Sequence, residues 1–342
     1  MGAGKPSWTG YLRPVRGSAL LWPAVVALAA SAATAATAAG SAKPQQPPTP
    51  AATSPYAGVT TIGGCPVFPK TSLWNRNVSH DPVDPRSAAY IASIGSAIHL
   101  HADFGSGQYG DYGIAINVVG PQQKKVPIRF TAYGDESDKG PYPVPPNAHV
   151  EGGANADGDR HVLVVQRGSC KLYELYNAHS VNGGAAWTGD SGAVYDLKHP
   201  KPRPAGWTSA DAAGLPIAPG LARAGEVASG SIRHALRVTV SRSQCAYVAP
   251  ARHEASNDCD ANLPPMGLRL RLKASFSLTG FHGQALVILK ALKTYGLIVA
   301  DNGSSWYISG TPDRKWNDDD LDQLKTVPGS SFEVVQSGPL HH

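Results

Sequence analysis

Charge is scarce in this chain. Asp, Glu, Lys and Arg together make up 16 % of the 342 residues. With 42 % apolar residues beside them, that excludes a coiled coil, an acidic disordered chain and a collagen-like repeat. Excess charge of one sign is also small, a formal +5, which by itself gives no reason to expect nucleic acid as a partner. The motifs of several enzyme classes are missing. There is no G-x-S-x-G elbow, P-loop, H-E-x-x-H or C-x-x-C, and no internal repeat of 20 to 50 residues. What is abundant is Gly (37) and Pro (29). They favour turns and short strands over long helices, so the expectation is a soluble, β-rich protein.

The first 40 residues have the layout of a secretory signal peptide. Lys5, Arg13 and Arg16 precede an apolar run from Ala19 to Ala30, and A-x-A sites follow at Ala33–Ala35 and Ala36–Ala38. The run is shorter than the roughly 20 residues a bilayer requires and contains Pro23, which argues against a membrane anchor. No later segment is long and apolar enough to span, so no stable membrane insertion is expected after cleavage. Residues 41–58 read as a Pro-rich linker, and residues 59–342 as a single β-rich domain. Export to an oxidising compartment suits four cysteines. Three pairings are possible; the polar loop between Cys245 and Cys259 favours a local bridge there, which leaves Cys65 with Cys170 to tie the start of the domain to its middle.

Alternating segments recur at Gly113–Val119, Val126–Thr131, His161–Gln166, Lys171–Tyr176, Ile232–Val240 and Met266–Ala274. Turn clusters separate them, as in an all-β sandwich of jelly-roll type with a few peripheral helices. A two-residue turn at Arg167–Gly168 would set Val165 opposite Cys170, Leu163 opposite Leu172 and His161 opposite Glu174, all six on one face. Helices are expected at Arg86–Ser96, at Gly283–Tyr295 stopped by Gly296, and at Asp318–Lys325 capped by Asn317. In Met266–Lys273 and Ile232–Val240, arginines alternate with apolar residues, which reads as a basic outer face.

Several phrases resemble a family of secreted bacterial proteins: CPVFPKTSLWN (Cys65–Asn75), DPRSAAYIASIG (Asp84–Gly95), GPYPVPPNAHVEGG (Gly140–Gly153), GDRHVLVV (Gly158–Val165) and GWTSADAAGLPI (Gly206–Ile217). IRHALRVTV and ADNGSSWYISG extend the likeness to about Val335. The resemblance implies export and a shared fold, and it carries over no catalytic residues.

Candidate chemistry therefore comes from the residues alone. Gly189–Gly192 (GDSG) echoes a protease serine loop, but no suitable His precedes it, and a glycine-rich turn is the better account. The acidic clusters at Asp135–Asp138 and Asp318–Asp320 lack the spacing of a calcium loop. The chain has six glutamates, of which Glu174 alone lies within a clear strand pattern. His161 and His234 fall on the apolar faces of their strands, and buried ionisable groups are costly unless paired. The catalytic candidates are Glu174 as base or nucleophile, Glu151 as acid, His161 orienting Glu174, and His234 lining the same cleft. Tyr176, Trp207 and Arg233 are the candidate substrate contacts. The expected function is a secreted glycoside hydrolase acting on a poly- or oligosaccharide, with no cofactor. Three alternatives stand beside it: a polysaccharide lyase with a His base, a non-catalytic carbohydrate-binding or cell-surface protein, and a metal-dependent enzyme ligated by His161, Glu174 and His234.

Overall fold

A computed structural model describes residues 54–110 and 112–342. The expected signal peptide and most of the expected linker lie outside the described residues.

The first strands are short: β1 (Thr61–Ile62) pairs with β2 (Cys65–Pro66). Next come α1 (Ser87–Ile94), β3 (His101–Asp103), β4 (Ile116–Val119) and β5 (Ile128–Phe130). The middle of the chain supplies β6 (Val162–Gln166), β7 (Lys171–Tyr176), β8 (His179–Val181), β9 (Ala186–Gly189) and β10 (Ser191–Asp196). After α2 (Ala224–Ala228) follow β11 (Leu236–Val240) and β12 (Arg269–Leu272). Then come α3 (Gly283–Thr294), β13 (Leu297–Asn302), β14 (Tyr307–Ser309), α4 (Asp318–Asp322) and β15 (Phe332–Val334).

These strands form a six-stranded sheet in the order β15-β12-β13-β11-β14-β3, a four-stranded sheet in the order β10-β7-β6-β4, and a three-stranded sheet in the order β5-β9-β8. The protein is β-rich, as expected, and none of the sheets is closed. The jelly-roll topology is not what forms. Parallel ladders join β4 to β6, β11 to β13, β14 to β3 and β5 to β9, whereas a jelly roll is built from antiparallel hairpins. Alternation in a sequence reports which side of a strand is buried and says nothing of strand direction.

The four-stranded sheet is covered on both sides. Leu163, Val165 and Leu172 join the large core shared with the six-stranded sheet and α3. Val162, Val164, Tyr173 and Leu175 face a second core closed by Trp187 and Tyr142. That explains why β6 reads VLVVQ, a continuous apolar run with every residue buried.

The β6–β7 hairpin corrects the expected register. Gln166 pairs with Lys171 and Leu163 with Glu174, so the loop holds the four residues Arg167–Cys170. Cys170 cannot face Val165, because its sulfur is bonded to Cys65 and its carbonyl accepts the Leu197 N–H at 3.0 Å. Gly168 and Cys170 take positive φ to make the wider loop. The slip is two residues, an even number, so Glu174 and His161 keep their expected side of the sheet while losing each other as direct partners.

The expected helices form with shorter ends. Gly296, directly after the last turn of α3, has φ +71° and would set a Cβ 2.0 Å from the Leu270 carbonyl oxygen, so both its conformation and its space require glycine. The Asn317 side chain caps α4 by accepting the Asp320 N–H at 3.2 Å.

The basic outer face is also corrected. Arg269 and Arg271 are each 7 % exposed, because the 73–82 segment covers the second side of β12. Arg269 donates to the Leu73 and Tyr295 carbonyls; Arg271 reaches Val78, Asp81 and the Glu333 carboxylate. These guanidiniums are internal clamps for chain segments.

Both expected disulfides are present, Cys65–Cys170 and Cys245–Cys259. Cys65–Cys170 closes a sequence separation of 105 residues, and constraint of the unfolded chain grows with loop length. Replacing both of its cysteines with alanine should cost about 2–4 kcal/mol of stability, read as a lower urea midpoint with retained circular dichroism at low denaturant.

Candidate functional site

The two sheets meet around one buried guanidinium. Arg237, on β11, forms a two-pronged pair with the wholly buried Asp211, at 2.7 Å (Nη2–Oδ1) and 3.2 Å (Nε–Oδ2). Its Nη1 donates to Ser309 Oγ on β14 at 2.6 Å, and Nη2 lies 3.6 Å from Asp301 Oδ2 on β13. Asp103 ends β3 in register with Ser309. Arg237 thus gathers side chains from three positions of the fold, with Asp103 on the strand beside Ser309.

Asp301 is the unusual member. Burial, with the Asp211 carboxylate beside it, pushes its acid up to about 7 despite Arg237. Asp211 already uses the guanidinium's two best-aligned donors, so Asp301 is left without a close counter-ion. Burial raises Asp103 as well, and the negative charges of Glu151 and Asp159 add to that rise.

Glu151 and His161 face this group from the four-stranded sheet. Glu151 lies in the turn before β6, and its N–H donates to the His161 carbonyl at 3.0 Å. In return, one Glu151 oxygen accepts from the His161 N–H at 3.2 Å and lies 2.5 Å from the ring Nδ1. His161 Nε2 is 3.0 Å from the Ala210 carbonyl oxygen. Both ring nitrogens face acceptors, so the ring is an imidazolium and both donate. Burial opposes that charge, but the Glu151 carboxylate outweighs it and holds the imidazole protonated up to about 9. The imidazolium reciprocally overcomes the burial of Glu151 and keeps its acid below the usual range.

The sequence candidates divide accordingly. Glu151 and His161 pair with each other, so His161 orients Glu151 and not Glu174, and Glu151 is the ionised carboxylate and not the acid. With both nitrogens donating, His161 offers no lone pair for a lyase base. Glu174 has no exposed surface. Its oxygens accept the Ile217 and Ala218 N–H groups at 2.9–3.0 Å, and burial raises it to about 7. It holds the 217–218 turn against the sheet and cannot meet a substrate.

His234 belongs to another cluster. Its Nε2 lies 2.9 Å from Arg223 Nη2 and 3.2 Å from Glu226 Oε2, and Nδ1 donates to its neighbour's carbonyl at 2.8 Å. Despite burial, Arg223 first and then His234 hold Glu226 down to about 2. Arg233 lines a hollow beside that cluster together with Arg223 and Glu226. His161, Glu174 and His234 therefore do not converge as metal ligands. Among the described residues, no group of three or more His, Cys, Asp or Glu is arranged to hold a metal ion.

Two open cavities flank the carboxylates. The larger, about 650 Å³, is lined by Asp159, Tyr176, Asp211, His253, Glu254 and Asp301, among others. The other, about 530 Å³, includes His101, Asp103, Tyr109, Tyr112 and Tyr307. The charge of Asp159 in the larger cavity helps to raise Asp103 in the smaller, so the cavities approach one another at this cluster. Of the candidate substrate contacts, Tyr176 lines the larger cavity. Trp207 lies just behind its wall with the Arg203 guanidinium 5.6 Å from its ring, and Arg233 is elsewhere. Ser191 of the GDSG turn is buried and donates to the Ser209 carbonyl at 2.6 Å.

Asp103, Asp211, Arg237 and Asp301 were missed from the sequence. One signal was there: in LIVADN an acid closes a run of buried aliphatic residues. No family model, curated protein or solved structure matches the chain, so chemical meaning rests on this geometry.

Two measurements check these assignments. Glu174→Gln turns one of two acceptor oxygens into a donor facing backbone N–H groups, and should cost about 1–3 kcal/mol by chemical denaturation. The His161 ring should titrate by NMR near pH 9. Because that value lies above the ordinary ~6.5, the stability the imidazolium contributes is complete below ~6.5 and is lost as pH climbs through about 9. The share of Glu151, whose acid is held below its usual range, is lost as pH falls through that lowered value.

Proposed function

We propose that the chain is a secreted carbohydrate-acting hydrolase in which Asp301 is the general acid and Glu151 the base or nucleophile. The observation that carries this is the opposed ionisation of two carboxyls around Arg237. Burial and Asp211 keep a proton on Asp301 up to about 7, while His161 keeps Glu151 ionised. Glycosidic hydrolysis needs that combination. The Asp301 proton passes to the oxygen leaving with one half of the chain. Glu151 accepts a proton from the attacking water, or attacks the anomeric carbon itself, while His161 holds it in place. The open cavities and their tyrosines suit a poly- or oligosaccharide, because flat rings cover sugar faces with little entropy loss. The two disulfides support secretion, and no described helix is long and apolar enough to cross a membrane. We infer neither a nucleic-acid partner nor stable membrane insertion.

The test is depolymerisation of a panel of neutral, acidic and amino sugars, followed by variants. Asp301→Asn should lower kcat by about 10²–10⁴-fold with an unchanged melting curve. Glu151→Gln should lower kcat as much and also lower the melting temperature, because it leaves the buried His161 imidazolium unpaired. Activity of the wild type should fall as pH rises through about 7, where Asp301 loses its proton. It should also fall at low pH as Glu151 gains one. His161→Gln removes the charge that depresses Glu151, so the acidic limb should move to higher pH. Full activity of both carboxyl variants would overturn the assignment.

A further inference from the structure

The charge around the two cavities opposes that of the chain. The protein is formally +5, yet among the described residues the larger cavity has no lysine or arginine in its lining. There Asp211 is matched by Arg237 and Asp301 holds its proton up to about 7, which leaves Asp159 and Glu254 as its carboxylates without a cation. The smaller presents Asp103, Asp318 and Asp322 against Lys325 alone, and Lys325 is already tied to Asp322 at 2.6 Å. Of the cations behind the walls, Arg237 is spent on Asp211, His161 on Glu151 and Arg203 on Asp138 and the Thr208 carbonyl. An independent sign comes from Glu254. Its Oε2 is shut off from bulk solvent and has no hydrogen-bond partner among the described residues. A buried carboxylate oxygen in that state costs free energy until a donor reaches it. The outer wall of the smaller cavity carries Tyr109 and Tyr112, 69 % and 56 % exposed, as platforms for sugar faces.

We infer that the ligand of this site is a glycan bearing free primary amines, a hexosamine polymer or oligomer whose ammonium groups meet Asp159 and Glu254. An ammonium brings three donors and a positive charge to a wall whose two uncompensated charged groups are carboxylates. A uronate polymer would set like charge against like, and a neutral or N-acetylated glycan would leave the carboxylates unanswered. The surrounding negative field would also raise the local concentration of a polycation. This rests on the carbohydrate reading of the site above.

The experiment pairs chitosan oligomers with their N-acetylated counterparts, and adds cello-oligomers and polygalacturonate, measuring both binding and cleavage. Chitosan oligomers should bind best, with affinity falling steeply between low and high salt. Asp159→Asn, at an exposed position, and Glu254→Gln should each weaken that binding about two- to fivefold and flatten its salt dependence. Cleavage of a neutral or acidic polymer without preference for the amine form would overturn this inference and leave the hydrolase reading standing. Salt-sensitive binding of chitosan oligomers without cleavage of any polymer would support it while overturning the hydrolase reading. Binding of none of these sugars would overturn both.

Discussion

The Arg237–Asp211 pair is the interaction on which the site depends. A guanidinium buried to this degree needs a carboxylate and well-placed acceptors, since an unpaired buried charge is far costlier than an unpaired surface one. Asp211 supplies the charge and Ser309 a further acceptor. Because Asp211 lies in a loop and Ser309 on β14, the guanidinium also ties that loop and β14 to β11. Asp301 is the residue left over. It is close enough to Asp211 to be held protonated and too far from Arg237 to be fully ionised. The same pair that stabilises the junction of the sheets therefore makes one acid beside it neutral.

Across the junction, the Glu151–His161 pair does the opposite. Here one carboxylate has an imidazolium to itself, with the ring's second nitrogen anchored on Ala210. The contrast between Glu151 and Asp301 comes from partners and not from depth: both are mostly buried, and only one faces an undivided cation. Glu174 completes the comparison. It is buried more deeply than either, yet its partners are backbone N–H groups and its surroundings leave no route to a ligand.

Much of the fold was legible where the signal is local. The β6 and β7 segments, the end of α3 at Gly296 and the Asn317 cap each follow from a few adjacent residues. The side of the sheet taken by His161 and Glu174 was legible too, because an even slip in register preserves the face. Their partners were not. Glu151 meets His161 through a turn whose return path no periodicity encodes, and the arginines of β12 and β11 alternate as a solvent face would. They are buried because distant segments cover them.

By itself the sequence determined the β-rich class, favoured the cysteine pairing that forms, and picked out Glu151 and His161, which meet each other. Composition, spacing and alternation are properties of neighbours along the chain, and these features depend on neighbours. Tertiary structure alone decided the parallel ladders, the burial of Arg237, and the placing of Asp301 beside it while backbone N–H groups enclose Glu174. Burial and charge pairing depend on residues far apart in sequence brought within a few ångströms. A carboxyl's ionisation responds to that surrounding and not to its place in the chain.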